Sequence, residues 1–165
     1  MLLRAIRSRF KNRLPGDNEK PCLVMLLICG RQAFLVNKGH IVKILIADDE
    51  VKLRSIFKTI LSREFSDISI DAVVNGAEAV DAFRAVNYDV LLMDLYMPVQ
   101  DGYGACLEIQ EICGKEKLKM PYVIFCTGYT APKEIIKLVA DKNHYALLSK
   151  PVEYKKLIDA IKAVK

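Results

Sequence analysis

The chain has 165 residues, 52% of them apolar, and a formal net charge of +5. That length allows one domain with a full core plus an appendage. The charge is uneven: residues 1–41 carry eight Lys/Arg against two Asp/Glu, and residues 42–165 seventeen against eighteen. The near-neutral main body offers no basic face for nucleic acid, so direct DNA binding is not expected. The five cysteines (Cys22, Cys29, Cys106, Cys113 and Cys126) lack C-x-x-C spacing, which argues against a zinc site or a disulfide framework and fits a reducing, cytoplasmic setting.

In residues 1–41, Leu2, Leu3, Ile6 and Phe10 would form one face of a short basic helix, ended by Pro15-Gly16-Asp17-Asn18. Cys22 to Cys29 is an apolar run of eight, far too short to span a bilayer as a helix. It is also poor as a signal-peptide core, because a long region with Asp17 and Glu19 precedes it and no small-residue cleavage site follows. Ile28 is bulky where a lipoprotein box wants a small residue, so no membrane role is expected. Two readings of the segment stand: an extension that docks on the main domain, or sequence foreign to the native protein. The second is motivated by the charge discontinuity. The codons for Lys38-Gly39-His40 can also resemble a bacterial ribosome-binding sequence, which would place the start at Val42. Either way, residues 1–41 read as a basic, poorly ordered or non-native extension, and residues 42–165 as the domain.

From Val42 the elements alternate strictly. Val42 to Ala47 is a β-branched strand that ends in Asp48-Asp49-Glu50. Val51 to Phe65 places Leu53, Ile56, Phe57, Ile60 and Leu61 at helical spacing. Ile68 to Val74 is the second strand, and Asn75 is an N-cap for a helix with Ala79, Val80 and Phe83. Val90 to Met93 is an unbroken apolar run, as in a strand buried on both faces. It stops at Asp94, and Pro98 and Asp101-Gly102 break the chain just beyond. Gly102 to Gly114 reads as a helix with Ala105, Cys106, Ile109, Ile112 and Cys113 on one face. Tyr122 to Cys126 is the fourth strand, ending at Thr127. Ala131 to Lys142 is the fourth helix, Tyr145 to Leu148 the fifth strand, and Glu153 to Val164 the fifth helix. Five βα units predict a parallel sheet with helices on both faces, an α/β, doubly wound architecture. No output domain is expected after the last helix.

Four of the five strands end on a chemically distinctive residue: Asp48/Asp49, Asp94, Thr127 and Lys150. Singly, each has a plain alternative: a helix cap, a turn residue, a turn hydroxyl, a solvated cation. Jointly they converge, because parallel strands share one C-terminal edge. Three carboxylates brought together repel, and a hard divalent cation relieves this. Mg²⁺ suits two carboxylates and a carbonyl, and keeps coordination positions for phosphoryl oxygens. Lys150 would neutralise a phosphoryl oxygen and Thr127 donate to another, while the Asp94 carboxylate attacks phosphorus. No histidine or cysteine is placed to compete as nucleophile, and His144 reads as a surface residue.

With these residues in view, residues 42–165 resemble the receiver domain of two-component response regulators, of the stand-alone, chemotaxis-regulator-like kind. The resemblance rests on Asp48-Asp49, on Asp94 within Met93-Asp94-Leu95-Tyr96-Met97-Pro98, and on Asp101-Gly102, Thr127-Gly128 and Lys150-Pro151. It implies a flavodoxin-like fold with strand order 2-1-3-4-5, and Asp94 as acceptor of a phosphoryl group from a histidine kinase. It further implies Mg²⁺ held by Asp49, Asp94 and the main-chain carbonyl of Tyr96, with Asp48 assisting through water. Thr127 and Lys150 would contact the phosphoryl group, and the Lys150-Pro151 bond would be cis. Such a domain is a phosphorylated switch, not an enzyme in its own right, with slow loss of its own phosphoryl group. Its output partner, or a second copy, would dock on the fourth helix, fifth strand and fifth helix. The family's aromatic three residues before the lysine is replaced by Leu147. Tyr145, two residues earlier, points to the same face and would substitute only in part.

A phosphorelay intermediate that hands the group to a histidine phosphotransfer protein is the alternative within signalling. Two other classes fit less well. A dehalogenase-like phosphatase needs a second Asp two residues after the nucleophile, where this chain has Tyr96. A flavodoxin needs a hydroxyl- and glycine-rich loop where this chain has Asp48-Asp49-Glu50.

Overall fold

The computed structural model describes residues 25–29, 32–36 and 41–164. The chain divides into two units between His40 and Ile41. In the first unit, β1 (Met25–Cys29) pairs antiparallel with β2 (Gln32–Val36), Met25 opposite Val36 and Cys29 opposite Gln32. The sequence reading has no strands here. Two five-residue runs, apolar but for Gln32 and separated only by Gly30-Arg31, carry a hairpin signal that the basic composition of the segment masks. The basic helix expected within residues 1–14 lies outside the described residues.

The second unit alternates strand and helix from β3 (Val42–Ala47) through α1 (Val51–Glu64), β4 (Ile68–Val73), α2 (Gly76–Ala85), β5 (Val90–Asp94) and α3 (Gly102–Glu116). It continues with β6 (Tyr122–Thr127), α4 (Lys133–Leu138), β7 (Tyr145–Ser149) and α5 (Tyr154–Lys162). All five strands are parallel, in the order β4-β3-β5-β6-β7, which is the expected 2-1-3-4-5.

Side chains two apart share a face of a strand, and this splits the core in two. Leu45, Leu91, Met93, Val123, Phe125 and Tyr145 face α2, α3 and α4, meeting Phe83, Ile109 and Ile135. Ile44, Ile46, Val90, Leu92 and Ile124 face α1 and α5, meeting Phe57, Leu61, Leu157 and Ile161. β5 is buried along its whole length because it lies at the centre with helices on both sides.

Three helices depart from the periodicity reading. On α1 only Phe57 and Leu61 are fully buried and Ile56 is half exposed, so the buried stripe is narrower than the apolar one. α3 continues past Gly114 and stops where Lys117 takes a left-handed conformation, φ 54°. α4 is much shorter than the expected 131–142. Pro132 sets its start, and beyond Leu138 the Asp141 side chain and carbonyl turn the chain, accepting from Asn143 N, His144 N and Tyr145 N. No helix among the described residues is long and apolar enough to cross a membrane.

Candidate functional site at the sheet edge

Strand register brings the candidate residues together. Ala47 lies opposite Met93, so Asp48 and Asp94 leave β3 and β5 side by side. Asp94 lies opposite Cys126, which puts Thr127 one residue beyond on β6. Thr127 lies opposite Ser149, so Lys150 leaves β7 next. Lys150 Nζ reaches back across β6 and donates to Asp94 Oδ2 at 2.5 Å and Asp48 Oδ2 at 2.8 Å. Two strand spacings are about 10 Å, a distance that the long lysine stem can help to close.

The second oxygen of each of these two acids also accepts a hydrogen bond. Asp48 Oδ1 accepts from Glu50 N at 2.8 Å and Asp94 Oδ1 from Tyr96 N at 3.2 Å. Both carboxylates are buried, and Asp49 is exposed. Asp48, Asp49 and Asp94 each offer an oxygen within 4.8 Å of one another. An all-oxygen set with one member open to solvent suits a hard cation that keeps some of its water. Here the Lys150 ammonium supplies the balancing charge. Burial pulls its pKa down, but hydrogen bonds and charges from Asp48 and Asp94 outweigh that and hold it above the ordinary lysine value.

Thr127 is buried beside this cluster. Its hydroxyl accepts from Tyr129 N at 3.1 Å and donates to Tyr129 O at 3.3 Å, and its carbonyl accepts from Lys150 N at 2.7 Å. Gly128 has open space around a notional Cβ, the nearest atom being Lys150 Cβ at 4.0 Å. The Lys150-Pro151 bond is cis, as expected. Cys126 lies under the site, and burial pushes its thiol up to about 12, so it stays protonated and is no rival nucleophile. His144 is half exposed and pairs with Asp141 at 2.8 Å.

Sequence reasoning missed several supports. Arg54 Nη1 donates to the Asp48 carbonyl at 2.5 Å, pinning the β3–α1 turn. An arginine six residues after the acids carries no signal without the turn geometry. Gly102, read as a chain breaker, a helix start and part of the Asp101-Gly102 match, also packs on the backbone of Asp94, which the sequence did not signal: a Cβ there would strike the Asp94 carbonyl oxygen and lie 2.9 Å from Met93 Cγ. Gly76 N donates to Gln100 O at 2.9 Å, and a Cβ at Gly76 would lie 2.6 Å from that oxygen. These two glycines seat the β5–α3 loop, in which Val99 is held at φ 70°, a strained conformation for a β-branched residue. Tyr145 is buried and stacks on Phe125, with centroids 6.4 Å apart and planes 9° apart, while Leu147 packs on the same core.

Comparison with known proteins agrees with this geometry. A family model described as response regulator receiver domain matches residues 44–162. The chain is 31% identical over 123 residues to the chemotaxis protein CheY of Halobacterium salinarum, covering 74% of this chain and 95% of that protein. It is 42% identical over 69 residues to the transcriptional regulatory protein ResD of Bacillus subtilis, a match that spans 42% of this chain and only 28% of that regulator. Among solved structures, the receiver domain of the Francisella response regulator 1452 is similar with a TM-score of 0.60 at 25% identity, covering 74% of this chain and 95% of that one. With the five-stranded topology and the acid cluster at its edge, these matches show that the chain belongs to the response regulator receiver domain family.

Proposed function

We propose that residues 42–165 act as a phosphorylated signalling switch, with Asp94 as acceptor of a phosphoryl group from the phosphohistidine of a kinase. The observation that carries this reading is the convergence of two buried carboxylates, a third exposed one and a lysine at one sheet edge. A carboxylate oxygen of Asp94 attacks phosphorus, the P–N bond of the donor breaks, and its electron pair stays on the departing imidazole. Lys150 holds a phosphoryl oxygen by charge, and the Thr127 hydroxyl donates to another. Asp49, Asp94 and the main-chain carbonyl of Tyr96 would hold Mg²⁺, with Asp48 assisting through water. When bound, the ion offsets the negative charge of the phosphoryl group against the carboxylates. The acyl phosphate changes the charge beside the β6–α4 loop, and the surface of α4, β7 and α5 carries that change to an output protein or a second copy. Residues 1–41 are an extension that the switch chemistry does not use.

The test is labelling by a small phosphodonor with Mg²⁺. The wild-type chain takes up one phosphoryl group, lost on alkaline hydrolysis, and Asp94→Asn takes up none. Undiminished labelling of Asp94→Asn would refute the assignment.

A further inference from the structure

Two tyrosines stand beside the acid cluster, and the chemistry above uses neither ring. Tyr96 follows Asp94 by two residues on the β5–α3 loop, and Tyr129 follows Thr127 by two on the β6–α4 loop. Their rings meet edge to face, with centroids 5.3 Å apart and planes 83° apart. Tyr96 is 46% and Tyr129 74% exposed, so this contact serves no core; it bridges the two loops. Tyr129 also holds the Thr127 hydroxyl at both ends, its N–H donating to Oγ1 and its carbonyl accepting from it. A hydroxyl has a single proton to donate. While that proton goes to the Tyr129 carbonyl, it cannot go to a phosphoryl oxygen.

We propose that Tyr129, latched through its ring to Tyr96, is a positioning residue that holds the Thr127 hydroxyl in its resting bond and so sets how readily the site takes up a phosphoryl group. The inference rests on the reading of Asp94 as acceptor and Thr127 as phosphoryl contact. On uptake the proton stays on Thr127 Oγ1 and only its acceptor changes, from the Tyr129 carbonyl to a phosphoryl oxygen. The freed carbonyl turns to water, which the exposure of Tyr129 permits. The latch favours only the resting arrangement, so its removal strengthens uptake by the factor it had withheld. The contact is made by rings, so phenylalanine serves at either position.

The test titrates the full chain with beryllofluoride in saturating Mg²⁺, by NMR, alongside phosphoramidate labelling. Tyr129→Ala and Tyr96→Ala each bind beryllofluoride about two- to tenfold tighter, the worth of one aromatic pair. The double variant gains nothing more, and Tyr129→Phe matches wild type. Wild-type or weaker affinity in Tyr129→Ala would overturn the latch, as would alanine-like behaviour of Tyr129→Phe. Faster loss of the phosphoryl group without tighter uptake would mark the rings as a shield against water, and overturn it too. If the wild-type chain takes no label on Asp94, the switch reading itself fails and the latch falls with it. A labelled wild type with unresponsive variants sinks the latch alone.

Discussion

Replacing Lys150 by methionine keeps most of the side-chain stem and removes the charge that two buried carboxylates share. At 2.8 Å and an effective dielectric of 20, each contact is worth about 6 kcal/mol of Coulomb attraction before desolvation is counted. Much of that is offset by taking the ammonium out of water, since its side chain is only 18% exposed. Breaking a buried pair by removing one partner costs about 3–5 kcal/mol, a large part of the ~5–15 kcal/mol that holds a domain of this size. Lys150→Met should therefore unfold at clearly lower urea concentration than wild type without divalent ions. Mg²⁺ should narrow the gap, because it takes over neutralisation of the same carboxylates. A hundredfold excess over its dissociation constant returns about 2.7 kcal/mol. The assay is urea unfolding followed by circular dichroism, with and without Mg²⁺. A loss below about 1 kcal/mol without Mg²⁺ would show that Lys150 is not the principal counter-charge. An equal loss with saturating Mg²⁺ would show that the ion binds elsewhere.

Asp49→Ala should weaken Mg²⁺ binding about tenfold or more and abolish labelling, yet leave the melting temperature nearly unchanged, since the side chain is exposed; Mg²⁺ titration and a thermal melt read both. Gly102→Ala should destabilise by about 1–3 kcal/mol and impair labelling together, because the new methyl meets the backbone of Asp94, which has no room to yield; a variant that melts and labels like wild type would contradict that contact. Stability should also fall on the alkaline side. Burial holds the Cys106 and Cys126 thiols and the Tyr88 and Tyr145 phenols protonated to about 12, and the Lys150 pKa is raised as well. The unfolded thiols ionise near 9 and the phenols near 10, so each such group's contribution is whole below those values. It is lost as pH climbs toward 12, by up to about 1.4 kcal/mol per pH unit per group. Urea unfolding at pH 7, 9 and 10.5 checks this, and a flat profile would refute it.

The alternation of elements from Val42 onward could be read directly, because a strand buried on both faces and an amphipathic helix leave different periodicities in a linear chain. The edge chemistry could be read too. Parallel strands force their C-termini to one side, so Asp48, Asp94, Thr127 and Lys150 had to meet once the alternation was granted. Tertiary structure alone decided which apolar residues are used. Ile56 follows the helical period of α1 but stays half exposed, because the buried stripe is narrower than the apolar one. The end of α4 was set by hydrogen bonds from a turn at Asp141, which override the apolar pattern running through Val139. Tertiary structure also decided the partners. That Arg54 grips the carbonyl of Asp48, that Gly102 must lack a Cβ because Asp94 lies against it, and that Tyr129 reaches Tyr96 from a neighbouring loop all depend on distances between segments far apart in the chain or on the path of a turn. Residue type and spacing carry periodicity and strand ends, but the packing of one loop on another exists only once the sheet has set them side by side.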